Sequence, residues 1–131
     1  MGRRAAFLGS AVDRLDLAGR VTVVHDRAEV VGRQPQYRAA FDLVTVRSLA
    51  PPAVTAELAA PLLRVGGALL VSEPPEGSDA RWPATGLAML GCGRPDVVTT
   101  AAGTYALISS DAGCPDRYPR RAGIPAKRPL F

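Results

Sequence analysis

Cysteine and histidine are scarce in this chain of 131 residues: two of the first, Cys92 and Cys114, and one of the second, His25. The cysteines form no CxxC pair and lie far from the histidine in sequence, so a zinc site lacks a ligand set. Two cysteines in a neutral-to-basic chain fit free thiols in a reducing cytosol. No apolar run reaches the length that a membrane-crossing helix needs. The opening segment, MGRRAAFLGSAV, looks like a signal peptide only at first sight. Ser10 and Asp13 break its apolar part, and it reads as a helix instead. GxGxxG and P-loop spacings are missing. Ser72 and Ser109 have no histidine at a useful position, which leaves nucleophilic hydrolysis without support.

What the chain does have is ample apolar material and a localised charge. With 47% hydrophobic residues it is one domain with a real core. The net charge is +4, yet residues 117–131 (RYPRRAGIPAKRPLF) carry five basic residues, three prolines and no acid. Everything before that stretch is therefore close to neutral, and the basicity marks a specific contact zone. Proline fixes φ and removes a donor, so the stretch is expected to be neither a helix nor a central strand. An extended segment with its charges outward lies along something negative, in a cytosolic chain nucleic-acid phosphate. A solvated, partly disordered terminus has the same composition, and both readings stay open.

Along the chain, Leu8, Val12 and Leu15 recur at i, i+4, i+7, which predicts an amphipathic helix over residues 3–17. The β-branched run VTVVH predicts a buried strand at 21–25. Residues 26–31 hold one helical turn capped by Asp26, and 32–40 form a loop. FDLVTV predicts a buried strand at 41–46. Pro51-Pro52 opens a helix over 53–63, because proline is tolerated in the first turn. Gly66-Gly67 then turns the chain into a strand at 68–71. Residues 79–90 read as a weaker helix interrupted by Pro83, and 97–100 and 104–109 as the last strands, an antiparallel pair. Strands alternating with helices imply a mostly parallel sheet with right-handed crossovers.

Two constellations can carry chemistry. HDRAE (residues 25–29) follows a strand, and ligands of open α/β sheets bind at the carboxyl ends of strands. Such a turn offers backbone N–H groups and an acid to a ribose or an adenine amine. A capped helix start with a surface Arg–Glu pair would look the same. Arg47 ends the next strand. It is placed to meet a carboxylate or phosphate bidentately, or to pair with Glu29 or a loop carbonyl.

Taken together, four runs resemble the RsmG family, also called glucose-inhibited division protein B. They are RRAAFL (3–8), HDRAE (25–29), FDLVTVRSLAP (41–51) with PLLRVGG (61–67), and YPRRAGIPAKRPL (118–130). The resemblance covers nearly all of the chain. It implies an α/β, incomplete Rossmann-like class I methyltransferase fold, a mostly parallel sheet with an antiparallel C-terminal pair. Residues 1–110 are then a partial S-adenosylmethionine-dependent methyltransferase domain, and 111–131 a basic, proline-rich tail. The implied activity is methylation of N7 of a guanine in 16S ribosomal RNA, in the cytoplasm. Guanine N7 offers a lone pair and leaves no proton to remove, so positioning replaces a general base.

By the same resemblance, Ala28 and Glu29 are cofactor contacts on the adenine side, and Arg47 is the cofactor-site arginine. Arg117, Tyr118, Arg120, Arg121, Lys127 and Arg128 are the RNA contacts. The partner is 16S ribosomal RNA or the small ribosomal subunit, with no membrane involved. The chain departs from the family at two places. The glycine-rich cofactor loop would lie upstream of Met1, which reads as an internal methionine taken for a start. The last crevice strand, which in the family tends to end in lysine, here reads VSEPP. A truncated methyltransferase, a divergent inactive paralogue and a non-catalytic RNA-binding adaptor are the three readings this leaves. In the complete family fold two further strands separate 21–25 from 41–46. Without them, residues 21–25 are expected to move in and pair, in parallel, with 41–46; failing that, the chain should self-associate through unpaired strand edges.

Overall fold

The computed structural model describes residues 2–131. Helix α1 (Gly2–Arg14) leads into a turn, and a one-turn helix α2 (Ala28–Val31) follows. Strand β1 (Phe41–Val46) then precedes helix α3 (Pro52–Ala59), which tightens into a 3₁₀ turn at Ala60–Leu62. Strand β2 (Leu63–Glu73) is followed by a 3₁₀ turn (Asp79–Arg81) and helix α4 (Ala84–Met89). Strands β3 (Cys92–Thr100) and β4 (Gly103–Ser110) form a hairpin, and a short helix α5 (Ile124–Lys127) closes the chain.

The four strands make one sheet in the order β1-β2-β4-β3. β1 and β2 are parallel, while β4 is antiparallel to both β2 and β3. Three strands thus share one direction and β4 is inserted against them, in keeping with an incomplete Rossmann-like α/β sheet. Strand β4 alternates cleanly: Thr104, Ala106, Ile108 and Ser110 are buried, as period-two side chains with one covered face must be. Ala106 and Ile108 meet Leu63, Leu69 and Val71 of β2, Trp82, and Leu87 and Leu90 around α4 in a single core. Helix α3 is buried over residues 53–59, which suits a sequence apolar on nearly every side.

Several expectations need correction. Residues 21–25 form no strand and pair with nothing in the sheet. Val21 instead donates its N–H to the Leu17 carbonyl (2.8 Å), and residues 23–26 share a cleft with Arg4 and Leu8 of α1. The segment just after them is held elsewhere, because α2 is tied to the C-terminal tail. The neighbours of 21–25 are α1 and the turn that follows it, not the open edge of β1. β1 itself is an edge strand and largely exposed, with Leu43 at 53% exposure, where a buried strand was expected.

Gly66-Gly67 is not a helix-to-strand turn but a bulge inside β2. The register jumps from Phe41 opposite Leu63 to Leu43 opposite Ala68. Gly66 has φ +83°, and a Cβ on Gly67 would come within 2.9 Å of the Asp42 carbonyl, so both positions need glycine. β3 begins at Cys92, five residues earlier than its β-branched run predicts. Asp26 accepts the N–H of Arg27 (2.7 Å), ahead of α2 rather than within it.

Candidate crevice and basic tail

The carboxyl ends of β1 and β2 open onto two adjoining cavities of about 420 and 390 Å³. Arg47, the residue after β1, lines both, together with Ser72 and Glu73 at the end of β2. Arg47 is exposed and has no hydrogen-bond or ion-pair partner among the described residues. The pairings considered for it are therefore not made. Glu73 is turned inward and paired with Arg81, so its charge is neutralised within its own loop.

A third groove, about 380 Å³, runs between α2 and α3 and is lined by residues 26–29, Leu49, Ala50, Val54, Leu58 and Ala126. Leu49 and Ala50 also line the cavity beside Arg47. Ala28 and Glu29 thus line this groove and Arg47 lines the two cavities at the strand ends, with Leu49 and Ala50 as lining common to the groove and one of those cavities.

Glu29 is 7% exposed and its carboxylate is already engaged. Oε1 accepts the N–H of Gly123 (2.9 Å) and a guanidinium N–H of Arg27 (3.1 Å). Burial pushes its pKa up, but the N–H groups of Gly123 and of its own residue, with Arg27, outweigh that and hold it below the ordinary carboxylate value. The thiols supply no nucleophile. Burial pushes Cys92 up to about 12, with the neighbouring Cys114 and Asp111 adding to it, and burial likewise lifts Cys114 to about 11.

The basic tail is folded onto the body. Helix α5 contains Pro125 within its first turn, where a missing N–H costs nothing, so the expectation of no helix fails at residues 124–127. Nor do all the cations point outward. Arg120 reaches Glu57, which is fully buried on α3. Its backbone N–H (2.8 Å) and Nε (2.9 Å) donate to Oε1, and Nη2 donates to Oε2 (2.6 Å). Those side-chain bonds to Glu57 raise the Arg120 pKa further. Tyr118, 4% exposed, sits in the core cluster. Arg117, Arg121, Lys127 and Arg128 remain exposed, Arg117 lying over the Tyr118 ring at 5.1 Å.

Two residues that hold this arrangement escaped the sequence reading. Arg38 donates to four carbonyls, those of Gly32 (3.1 Å), Tyr118 (2.7 Å), Cys114 (3.0 Å) and Pro115 (3.1 Å). Nothing in a polar loop distinguishes it from its neighbour Arg33. Glu57 did leave a signal, as the lone charged residue in the helix PAVTAELA.

The family model described as rRNA small subunit methyltransferase G matches residues 1–74. Curated relatives carrying the name Ribosomal RNA small subunit methyltransferase G extend the likeness to the whole chain. One from Roseiflexus castenholzii is 41% identical over 140 residues, which take in 100% of this chain and 58% of the relative. One from Lactobacillus delbrueckii subsp. bulgaricus is 36% identical over 140 residues, 99% of this chain and 57% of its own length. One from Leuconostoc mesenteroides is 38% identical over 137 residues, 98% and 56% respectively. The chain spans a little over half the length of these relatives.

Proposed function

The chain belongs to the rRNA small subunit methyltransferase G family, and we propose that it serves S-adenosylmethionine-dependent methylation of 16S ribosomal RNA at N7 of a guanine, acting in the cytoplasm on the small ribosomal subunit. The observation that supports this reading is a pair of neighbouring hollows that share Leu49 and Ala50 as lining, one holding Ala28 and Glu29 and the other Arg47. Its cavities have the size of nucleoside sites. The residues fit one end of the cofactor. Ala28 has too small a side chain to block an adenine, the turn at 26–29 offers polar backbone, and Arg47 is a cation free to donate to ribose hydroxyls. No glycine-rich loop is present among the described residues for the methionine end. S-adenosylmethionine supplies an electrophilic methyl group; the chain's own part is to orient the adenosine and keep water out.

The four exposed tail cations, Arg117, Arg121, Lys127 and Arg128, support the RNA side of the reading. Arg33 adds a further cation beside Arg117, its Nη2 donating to the Arg117 carbonyl at 3.4 Å. Tyr118 and Arg120 contribute by holding the tail in place. These cations alone equally suit a non-catalytic ribosomal-RNA-binding adaptor, so cofactor binding discriminates the two. Titration with S-adenosylmethionine, followed by calorimetry and by NMR at Ala28 and Arg47, should give saturable binding weaker than the low-micromolar range. Low-micromolar affinity would refute a one-sided grip. No perturbation at 10 mM ligand would leave the adaptor reading standing alone.

A further inference from the structure

The C-terminal tail supplies more than charge. Three anchors bring it to the crevice: Arg38 under the carbonyls of 114–118, Glu57 on Arg120, and Glu29 on the N–H of Gly123. The third lies at the crevice itself. Gly123 has φ +82°, a left-handed conformation from which α5 starts, and Ala126 of α5 forms part of the wall of the groove between α2 and α3. The same groove is bounded on its other side by Ala28 and Glu29. We propose that Glu29 is a positioning residue that clamps α5 as a movable wall of the crevice, so that occupancy of the groove and docking of the basic tail stabilise each other. This rests on the adenosine reading of the crevice given above.

The physical argument is one of linkage. The N–H of Gly123 is the only backbone donor of the tail that a groove-lining side chain accepts among the described residues. A carboxylate receiving an N–H in a nearly buried site makes a charge-assisted bond, stronger than a neutral one. Helix α5 has only four residues and cannot persist on its own; Glu29 holds its N-terminal end, Arg120 holds the far end by donating to the Arg128 carbonyl (2.7 Å), and Pro125 packs between. A ligand packed against Ala126 and Ala28 loses one wall when α5 leaves. A ligand that favours the docked state shifts the tail toward it by the same free energy, because such coupling is reciprocal. RNA held by Lys127 and Arg128, on α5 and just after it, would then favour a closed crevice.

Two substitutions separate the parts. Gly123→Pro removes the donated N–H and forbids φ +82°, so it frees α5 without altering a groove-lining side chain. Ala126→Trp is exposed and leaves the clamp intact, but fills the groove if α5 is its wall. The probe is S-adenosylhomocysteine at millimolar concentration, with NMR titration for affinity and amide hydrogen exchange for residues 124–128. Gly123→Pro should speed exchange of those amides at least tenfold and raise the Kd several-fold. Ala126→Trp should weaken binding in the parent chain and have no further effect in the Gly123→Pro background. Saturating ligand should slow exchange of 124–128 in the parent. Unchanged affinity in both variants, with the tail visibly loosened, overturns the proposal. If the parent binds no S-adenosylhomocysteine, the cofactor reading fails. The clamp is then decided by exchange alone: equal rates in the parent, Gly123→Pro and Glu29→Ala overturn it, and loosening in both variants upholds it.

Discussion

Removing Arg120 should be one of the most damaging single changes to this chain. Glu57 is wholly inaccessible to solvent, and Arg120 supplies all three of its recorded donors. Arg120→Ala leaves the backbone bond at 2.8 Å but strips the carboxylate of its counter-charge and two bonds. Taking one partner from a buried pair costs about 3–5 kcal/mol. The guanidinium is itself 26% exposed, so water can enter in its place, and the loss should fall at the lower end, about 3 kcal/mol. Arg120→Lys keeps the charge but not the two-armed geometry, and should cost about 1 kcal/mol. Glu57→Leu combined with Arg120→Met, which removes both charges, should recover most of the loss. Urea unfolding reports all three, because Trp82 is the sole tryptophan and is 1% exposed. A loss below about 1 kcal/mol for Arg120→Ala would show that Glu57 is not held by this arginine, and would remove one of the three anchors of the tail.

Glu29 should make stability fall with acid. Its folded pKa is depressed, so the stabilisation is complete above the ordinary carboxylate pKa and disappears as pH falls through the lower folded value. The stability difference between parent and Glu29→Gln should shrink on acidification, and a difference constant across that range would contradict the clamp at Gly123. Replacing Arg117, Arg121, Lys127 and Arg128 with glutamine should flatten the dependence of log K for single-stranded ribosomal RNA on log salt by about 3, at roughly 0.7 per phosphate neutralised. An unchanged slope assigns RNA binding elsewhere. The outer edge of β1 is unpaired, contains no lysine or proline, and exposes Leu43. Concentration-dependent association should appear in sedimentation and be lost in Leu43→Lys; a monomer at all concentrations rules out pairing through that edge.

The parts of the fold that could be read from the sequence are those whose signals are local. Pro51-Pro52 announced α3, the run FDLVTV announced β1, and the Ala101–Gly103 turn between two β-branched runs announced the last hairpin. Where pairing depends on a distant partner, the local signal failed in both directions. VTVVH has every strand preference, yet without a neighbour at hydrogen-bonding distance it stays irregular. CGRPD has almost none, yet Cys92 lies opposite Ser110 and the stretch is strand. Two glycines are compatible equally with a turn and a bulge, and only the partner strand decides between them. For the site, a strand-end position holds only for Arg47, which follows β1; the strand at 21–25 that pointed to Ala28 and Glu29 does not form. The bond that pins α2 to the tail, and with it Ala28 and Glu29 beside α3, is encoded by no local pattern.

The tail shows why charge counting alone misleads. Five cations in fifteen residues look interchangeable in composition, but burial sorts them. One meets a carboxylate on α3, and four face solvent. The prolines that argued against regular structure also explain how so short a segment can dock. Pro119 and Pro125 are buried, and a chain already restricted at φ loses less entropy on being fixed than a flexible one. The same segment therefore supplies core packing through Tyr118, a wall of the crevice through Ala126, and exposed charge. Deleting it would remove all three together, so reduced RNA binding after deletion could reflect unfolding as readily as lost phosphate contacts. Neutralising the four outward cations leaves Tyr118, Glu57 with Arg120, and Gly123 with Glu29 intact, and is the change that isolates the electrostatic role.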